Sequence, residues 1–260
     1  MSTEVTTTTT KSKKTAAPSS SDLSTDFAAI QPGSEVADLI EANYGGQMTL
    51  SEQDLLTIKL PAGGSTSWTF DDVEGERSEK ELVGLWVYRG FGGMLWPTDT
   101  PGGSTPVLVT SDWRSARKVG DDLGDLDAET LEQFVKTDGT YDWQGLAGGN
   151  FPESPFGYGA GRNGGKRVSE FQTVALLRPD DILPILVRIT PGSFKGLETF
   201  IRRLRIPYWR AVVGLSLEKI TNSAGQSFSR VVFRLVGTID GENGERTKEL
   251  YTEPLSRSLS

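Results

Sequence analysis

Apolar and polar positions alternate most regularly in the last third of the chain. On YWRAVVGLSLEKI, Trp209, Ala211, Val213, Leu215 and Leu217 share one face, and Tyr208, Arg210, Val212, Gly214, Ser216 and Glu218 share the other. On QSFSRVVFRLVGTI, Val231, Phe233 and Leu235 point one way, with Phe228, Arg230, Val232, Arg234 and Val236 opposite. Side chains alternate faces along a strand, so this period of two predicts two strands, and the turn formers of TNSAG join them as a hairpin. Trp209 then belongs to the core. Tyr208, Arg210, Phe228, Arg230 and Arg234 belong to the face that interleaves guanidinium groups with aromatic rings, a surface suited to tracking phosphates while stacking bases. An ordinary half-exposed sheet lining is the competing reading of the same pattern.

Just upstream the period changes. GSFKGLETFIRRLRIP sets Phe194, Leu197, Ile201 and Leu204 on one stripe, which predicts an amphipathic helix stopped near Pro207. Lys195, Arg202, Arg203 and Arg205 fall largely outside that stripe. EFQTVALLR and DILPILVRIT read as apolar strands meeting at a turn around Pro179, and ELVGLWVYRGF, apolar on both faces, reads as the centre of a sheet. TIKL, STSWTF, MLWP and PVLVTSDW are shorter strand candidates, and SEVADLIEANYG and DAETLEQFV are short helix candidates.

Composition sharpens this picture at both ends. Residues 1–33, with TTTTT and PSSSD, have too little apolar surface to offset the entropy of ordering and read as a disordered Ser/Thr-rich tail. Residues 241–260 read as a C-terminal tail. Between them, 34–240 read as one domain with an acidic and Gly-rich insertion at about 119–168. Within it, 121–142 holds eight acids against the single base Lys136, read as a solvated acidic face or, more sharply, as an electrostatic mimic of a phosphate backbone.

The net charge of −8 hides a strong asymmetry: residues 161–240 hold 13 basic against six acidic residues, a net of +7, which leaves −15 for the rest. A positive block on an acidic chain keeps a nucleic-acid partner open. Cysteine and histidine are both absent, which excludes disulfides, thiol nucleophiles, His-based dyads and most zinc sites. No nucleophile-base pair is visible, so no enzyme, cofactor or metal is expected. No apolar run approaches the roughly 20 residues of a membrane span, and the N-terminus lacks the apolar core of a secretory signal. The expected setting is the host cytoplasm, away from any membrane.

Gly159, Gly161 and Gly164 spell G-x-G-x-x-G, followed by Lys166 and Arg167. A dinucleotide fingerprint needs a strand before it and a helix after it, because the pyrophosphate rests on that helix N-terminus. Here NFPESPFGY precedes and the strand-like EFQTVALL follows. The phosphate-loop pattern fails too, with Ala160 at its first glycine and Arg167 at its Ser/Thr place. The loop is read as a flexible basic segment whose Arg162, Lys166 and Arg167 contact phosphates.

The order KLPAGGSTSWTF, ELVGLWVYRGFGGMLWP, the Gly/Lys/Arg loop, LLRPDDILPILVRITPGSFKGLETFIRRL and YWRAVVGLSLEKITNSAGQSFSRVVFRLVG resembles a family of single-stranded DNA-binding proteins of tailed phages and related mobile elements. It spans about 55–238, and Pro191, Ser193, Lys195 and Leu197 match its TP-x-S-x-K-x-L helix. Family members carry a mid-chain cysteine cluster resembling a zinc site. This sequence has none, so a zinc requirement does not carry over; Trp143, Phe151, Phe156 and Tyr158 are the candidates for a packing cluster in its place. The resemblance implies phage DNA replication or recombination, with replication or recombination proteins as partners.

The expected fold is mainly β with a few helices (α+β): an OB-like, partly closed β-barrel with long loops and one amphipathic basic helix. The expected function is sequence-tolerant single-stranded DNA binding. Its contacts would be Arg162, Lys166, Arg167, Lys195, Arg202, Arg203, Arg205, Tyr208, Arg210, Phe228, Arg230 and Arg234. Trp86, Tyr88, Phe91 and Trp96 are secondary stacking candidates for which burial is the favoured reading. A homo-oligomer is compatible with the sequence. A non-enzymatic phage structural or protein-interaction module, and an acidic DNA-mimic inhibitor, are the alternatives.

Overall fold

A computed structural model of the chain describes residues 26–31, 54–72, 75–98, 105–148, 166–179, 181–223 and 225–259, together with 23, 38, 42, 156, 157, 160 and 161. Its strands are β1 (Thr57–Lys59), β2 (Trp68–Asp72), β3 (Gly75–Glu79), β4 (Glu81–Leu95), β5 (Leu108–Thr110), β6 (Ser115–Lys118), β7 (Tyr141–Asp142), β8 (Val168–Leu177), β9 (Ile185–Ile189), β10 (Ala211–Thr221) and β11 (Ser227–Thr238). The helices are α1 (Ala128–Glu132), α2 (Trp143–Leu146), α3 (Pro191–Arg203), α4 (Gly241–Thr247) and α5 (Glu253–Ser258), the last two joined by a π turn over Lys248–Thr252. The fold is mainly β, as the alternation predicts.

β4 is the hub of the sheet. One of its edges pairs with β8 from Leu85↔Leu177 to Leu95↔Val168. Its other edge is shared, with β10 taking Glu81–Leu85 and β5 taking Gly93–Leu95. Beyond β8 lie β9 and then β1, which runs parallel to β9; beyond β5 lie β6 and β7, and β11 flanks β10. Met94 and Leu95 of MLWP are the far end of β4, not a separate strand. The Ser229 hydroxyl of β11 donates to the carbonyls of Pro61 (3.0 Å) and Ser65 (2.9 Å), just past β1. That tether draws the ends of the β1-β9-β8-β4-β10-β11 run together, but no ladder joins them. The sheet is not closed into a barrel.

Both sheet faces are covered, which is why β4, β8 and β9 read as nearly continuous apolar runs. One face buries Trp86, Val174, Leu176, Val187, Ile189, Ala211, Val213 and Leu215 against Leu197 of α3. The predicted stripe is the helix's packed side, with Phe194, Phe200, Ile201 and Leu204 against the same cluster. The other face buries Leu85, Val87, Tyr88, Ala175, Leu177, Leu186 and Val212 against Phe27, Ile30, Tyr251 and Leu255. A register shift between Trp86 and Tyr88 puts both Val87 and Tyr88 on this second face. A third cluster forms under the acidic insertion, where Leu131 of α1 and Leu146 of α2 pack with Leu95, Leu108 and Val168. Trp143 and Phe156, two of the four residues suggested as a replacement for a metal, belong to it. Phe151 and Tyr158 lie outside the described residues.

Both predicted tails contribute to the core. Phe27, Ala29 and Ile30 are buried, and Leu23 N–H donates to Thr238 O at 2.8 Å. Residues 241–258 are helical: Asp240 caps α4 by accepting from Asn243 N–H, and Thr247, Tyr251 and Leu255 face inward at a spacing of four. Gly244 is close-packed, since a Cβ there would strike the Arg210 stem. The helix expected at SEVADLIEANYG falls largely outside the described residues.

Tyr251 is fully buried, with its hydroxyl donating to Ile182 O at 2.9 Å, and burial raises its pKa far above the ordinary tyrosine value. The unfolded chain therefore loses this proton first, near pH 10, and stability falls as pH rises from there. Tyr251 contributes a loss of about 1.4 kcal/mol per pH unit above pH 10. Comparing alkaline unfolding of the wild type with Tyr251→Phe isolates that slope: it is expected to be shallower in the variant, and identical slopes would contradict this burial.

Candidate nucleic-acid interface

α3 begins with Pro191 in its first turn, where a missing N–H costs nothing, and ends at Leu204. It is fastened at its start by Ser193, whose buried hydroxyl accepts from Val231 N–H at 3.0 Å. With the stripe buried, the solvent side is fixed. Lys195, Thr199, Arg202 and Arg203 are all exposed at helical spacing, and Arg205 follows, also exposed. At 1.5 Å rise per residue, Lys195 and Arg202 lie about 10 Å apart along the axis. None of these four cations makes an ion pair or hydrogen bond among the described residues. Arg202 and Arg203 also occupy the last helical turn, where positive charge complements the helix dipole.

The other predicted cations are committed elsewhere. Arg230 donates to Glu218, its register partner across the hairpin, at 2.7 Å. Arg234 reaches over Gly214 to both carboxylate oxygens of Glu81, at 3.1 and 2.9 Å. The outer face of β10–β11 therefore alternates positive with negative charge. Lys166 pairs with Glu170 at 2.9 Å, and Arg167 pairs with Asp125 and donates to Pro97 O. Arg210 donates to Ile239 O at 3.2 Å. Arg162 and Gly159, Gly164 and Gly165 of the glycine loop lie outside the described residues.

The aromatic candidates divide similarly. Trp86 and Tyr88 are buried, as favoured. Tyr208 and Trp209 depart from simple alternation, because the chain is a 3-10 turn there and not yet a strand. Tyr208 packs on Trp86 with centroids 5.3 Å apart, and burial raises its phenol pKa, opposed by the Arg89 charge. Trp209, expected in the core, is partly exposed, with Lys248 at 6.0 Å from its ring. Phe228 packs at the start of α3, beside Gly192. Phe91 and Trp96 are partly buried.

One aromatic went unselected in the sequence. Trp113 stands between Phe91 (4.8 Å) and Phe194 (5.2 Å), and its indole donates to Gly92 O at 2.7 Å where β4 has no strand partner on that edge. It sits at φ 57. Asp112 holds the turn by accepting from Arg114 and Ser115 N–H. An Asp immediately before Trp in a strand-turn-strand was the only local signal. Arg89, also unselected, donates to Gln172 at 2.8 Å, pairs with Glu198 of α3 and lies 5.1 Å over Phe91.

Among the described residues, no group of His, Cys, Asp and Glu could hold a metal, and no helix is long and apolar enough to cross a membrane. No protein-family model, curated protein or solved structure matches the chain.

Proposed function

We propose that the protein binds single-stranded DNA without sequence preference, in phage or mobile-element DNA replication or recombination, through an OB-like arrangement of the curled sheet and α3. The observation that carries this reading is the solvent side of α3, where Lys195, Arg202, Arg203 and Arg205 stand unpaired among the described residues on a chain of net charge −8. An acidic protein repels nucleic acid at long range, so a local cluster of uncompensated cations is the feature that reverses the interaction. The motif resemblance supports the same reading. Direct titration of fluorescent oligo-dT and a duplex of equal length tests it: tighter binding of the single strand is expected, and binding to neither defeats it.

The exposed acids of 121–142 and the charge-alternating β10–β11 face favour a second reading, a protein-interaction module. Val232, at 39% exposed, sits among the Arg230–Glu218 and Arg234–Glu81 pairs. A mixed apolar and charged surface of that kind suits a protein partner better than a phosphate backbone.

A further inference from the structure

The sheet face opposite α3 is covered along only part of its length. Beyond Tyr88 it continues through Gly92 and Met94 of β4, Phe171 and Thr173 of β8 and the Val109↔Arg117 pair of β5 and β6, and there it opens as a groove of about 410 Å³. That volume lies within the range of ligand pockets. Its floor is flat because glycine occupies positions 90 and 92: a Cβ at Gly90 would strike the Tyr88 ring, and one at Gly92 the Phe171 ring. Glycine inside a strand weakens it and is found where another group must approach the backbone closely.

Phe171, partly exposed, therefore lies against the backbone of Gly92, its register partner, and the Arg188 guanidinium sits 4.7 Å from its ring centroid. Two further cations flank this plate. Lys59 is exposed and is the register partner of Arg188, and Arg117 is exposed on the groove's other wall with no ion pair among the described residues. Among the described residues, the single carboxylate lining the groove belongs to Asp112, and it is already engaged by Arg114 N–H (2.7 Å), Ser115 N–H (2.8 Å) and the Thr110 hydroxyl (3.2 Å).

We propose that this groove is a base-stacking site, in which an unpaired base rests against the Phe171–Arg188 plate and Arg117 takes a neighbouring phosphate. Aromatic and guanidinium planes accept any base by its π face, and flanking cations follow the backbone. A base already stacked in a duplex cannot reach such a plate. The site rests on the single-stranded DNA reading and adds the element that distinguishes a single strand from any other polyanion.

The test compares wild type, Phe171→Ala, Phe171→Tyr and Arg117→Ala for binding to oligo-dT and to an abasic deoxyribose-phosphate strand of the same length. Phe171→Ala is expected to weaken oligo-dT binding about tenfold while leaving the abasic strand unchanged, and Phe171→Tyr to bind like wild type. Arg117→Ala, a surface change that leaves the fold intact, is expected to make the salt slope shallower by about 0.7. If wild type binds oligo-dT and both alanine variants bind it equally well, the stacking site is refuted and the DNA-binding reading stands. If wild type binds no oligo-dT, that reading falls and the site with it.

Discussion

Truncating the chain after Asp240 is expected to abolish cooperative folding, whereas removing only residues 257–260 is expected to leave it nearly intact. The first cut removes Tyr251 and Leu255, both fully buried, and uncovers Leu85, Val87, Leu177 and Ile30 of the same cluster. Large-to-alanine changes at such sites cost about 3–5 kcal/mol for an aromatic and 2–5 for leucine. Two of them together rival the roughly 5–15 kcal/mol that holds a typical domain folded. It also removes the Thr252 hydroxyl, which donates to Val87 O at 2.6 Å on the stretch of β4 that neither β10 nor β5 pairs. That carbonyl would lose its partner. The shorter cut takes Arg257 and Ser258, which are exposed, Leu259, which is only partly buried against that cluster, and Ser260. Urea unfolding followed by near-UV circular dichroism distinguishes the two. An unchanged transition for the longer truncation would show that the C-terminal helices are not part of the core.

The second large effect is on binding. Replacing Arg202 and Arg203 together by Glu changes the charge of the α3 surface by four units at two exposed positions. Each cation that releases counterions from a single strand contributes about 0.7 to the salt slope, so losing two makes it shallower by about 1.4. With the added repulsion, affinity for oligo-dT at low salt is expected to fall about a hundredfold. Surface substitutions of this kind usually stay within about 0.5 kcal/mol in stability, and loss of the favourable dipole contact adds about 0.3–1 kcal/mol per residue. The fold therefore survives. Arg230→Ala with Arg234→Ala is the control at paired cations: both side chains are already engaged, by Glu218 and Glu81, so affinity is expected to change little. Equal loss in both double variants would return the interface to the hairpin face.

These predictions turn on what could and could not be seen in the sequence. The faces of β10 and β11 follow the alternation, with Ala211, Val213, Leu215, Leu217 and Val231 all buried. The stripe of α3 packs as its spacing requires. Local periodicity is recorded in neighbouring residues, and for that reason these elements were legible. Charge compensation is not local. Glu81 lies 153 residues from Arg234, and Asp125 lies 42 from Arg167. Nothing in the cation-rich distal block indicates that acids from elsewhere, Asp125, Glu79 and Glu81, neutralise Arg167, Arg178 and Arg234. The C-terminal helices were hidden for another reason: Gly241, Gly244 and Pro254 look like breakers, and only Tyr251 and Leu255 mark the buried side. Gly244 is there because Arg210 leaves no room for a side chain, and the π turn brings Pro254 into the first turn of α5. The groove on the opposite sheet face depends on Gly92 lying beneath Phe171, a pairing across β4 and β8 that only the register reveals.

The salt dependence of oligo-dT binding by the full chain puts the central claim to its most direct test. Four cations on and just beyond α3, unpaired among the described residues, together with Arg117 of the groove, each meeting one phosphate, predict that log K falls linearly with log salt at a slope of about −3.5. A slope near zero, or an affinity for duplex equal to that for the single strand at every salt concentration, would contradict the account.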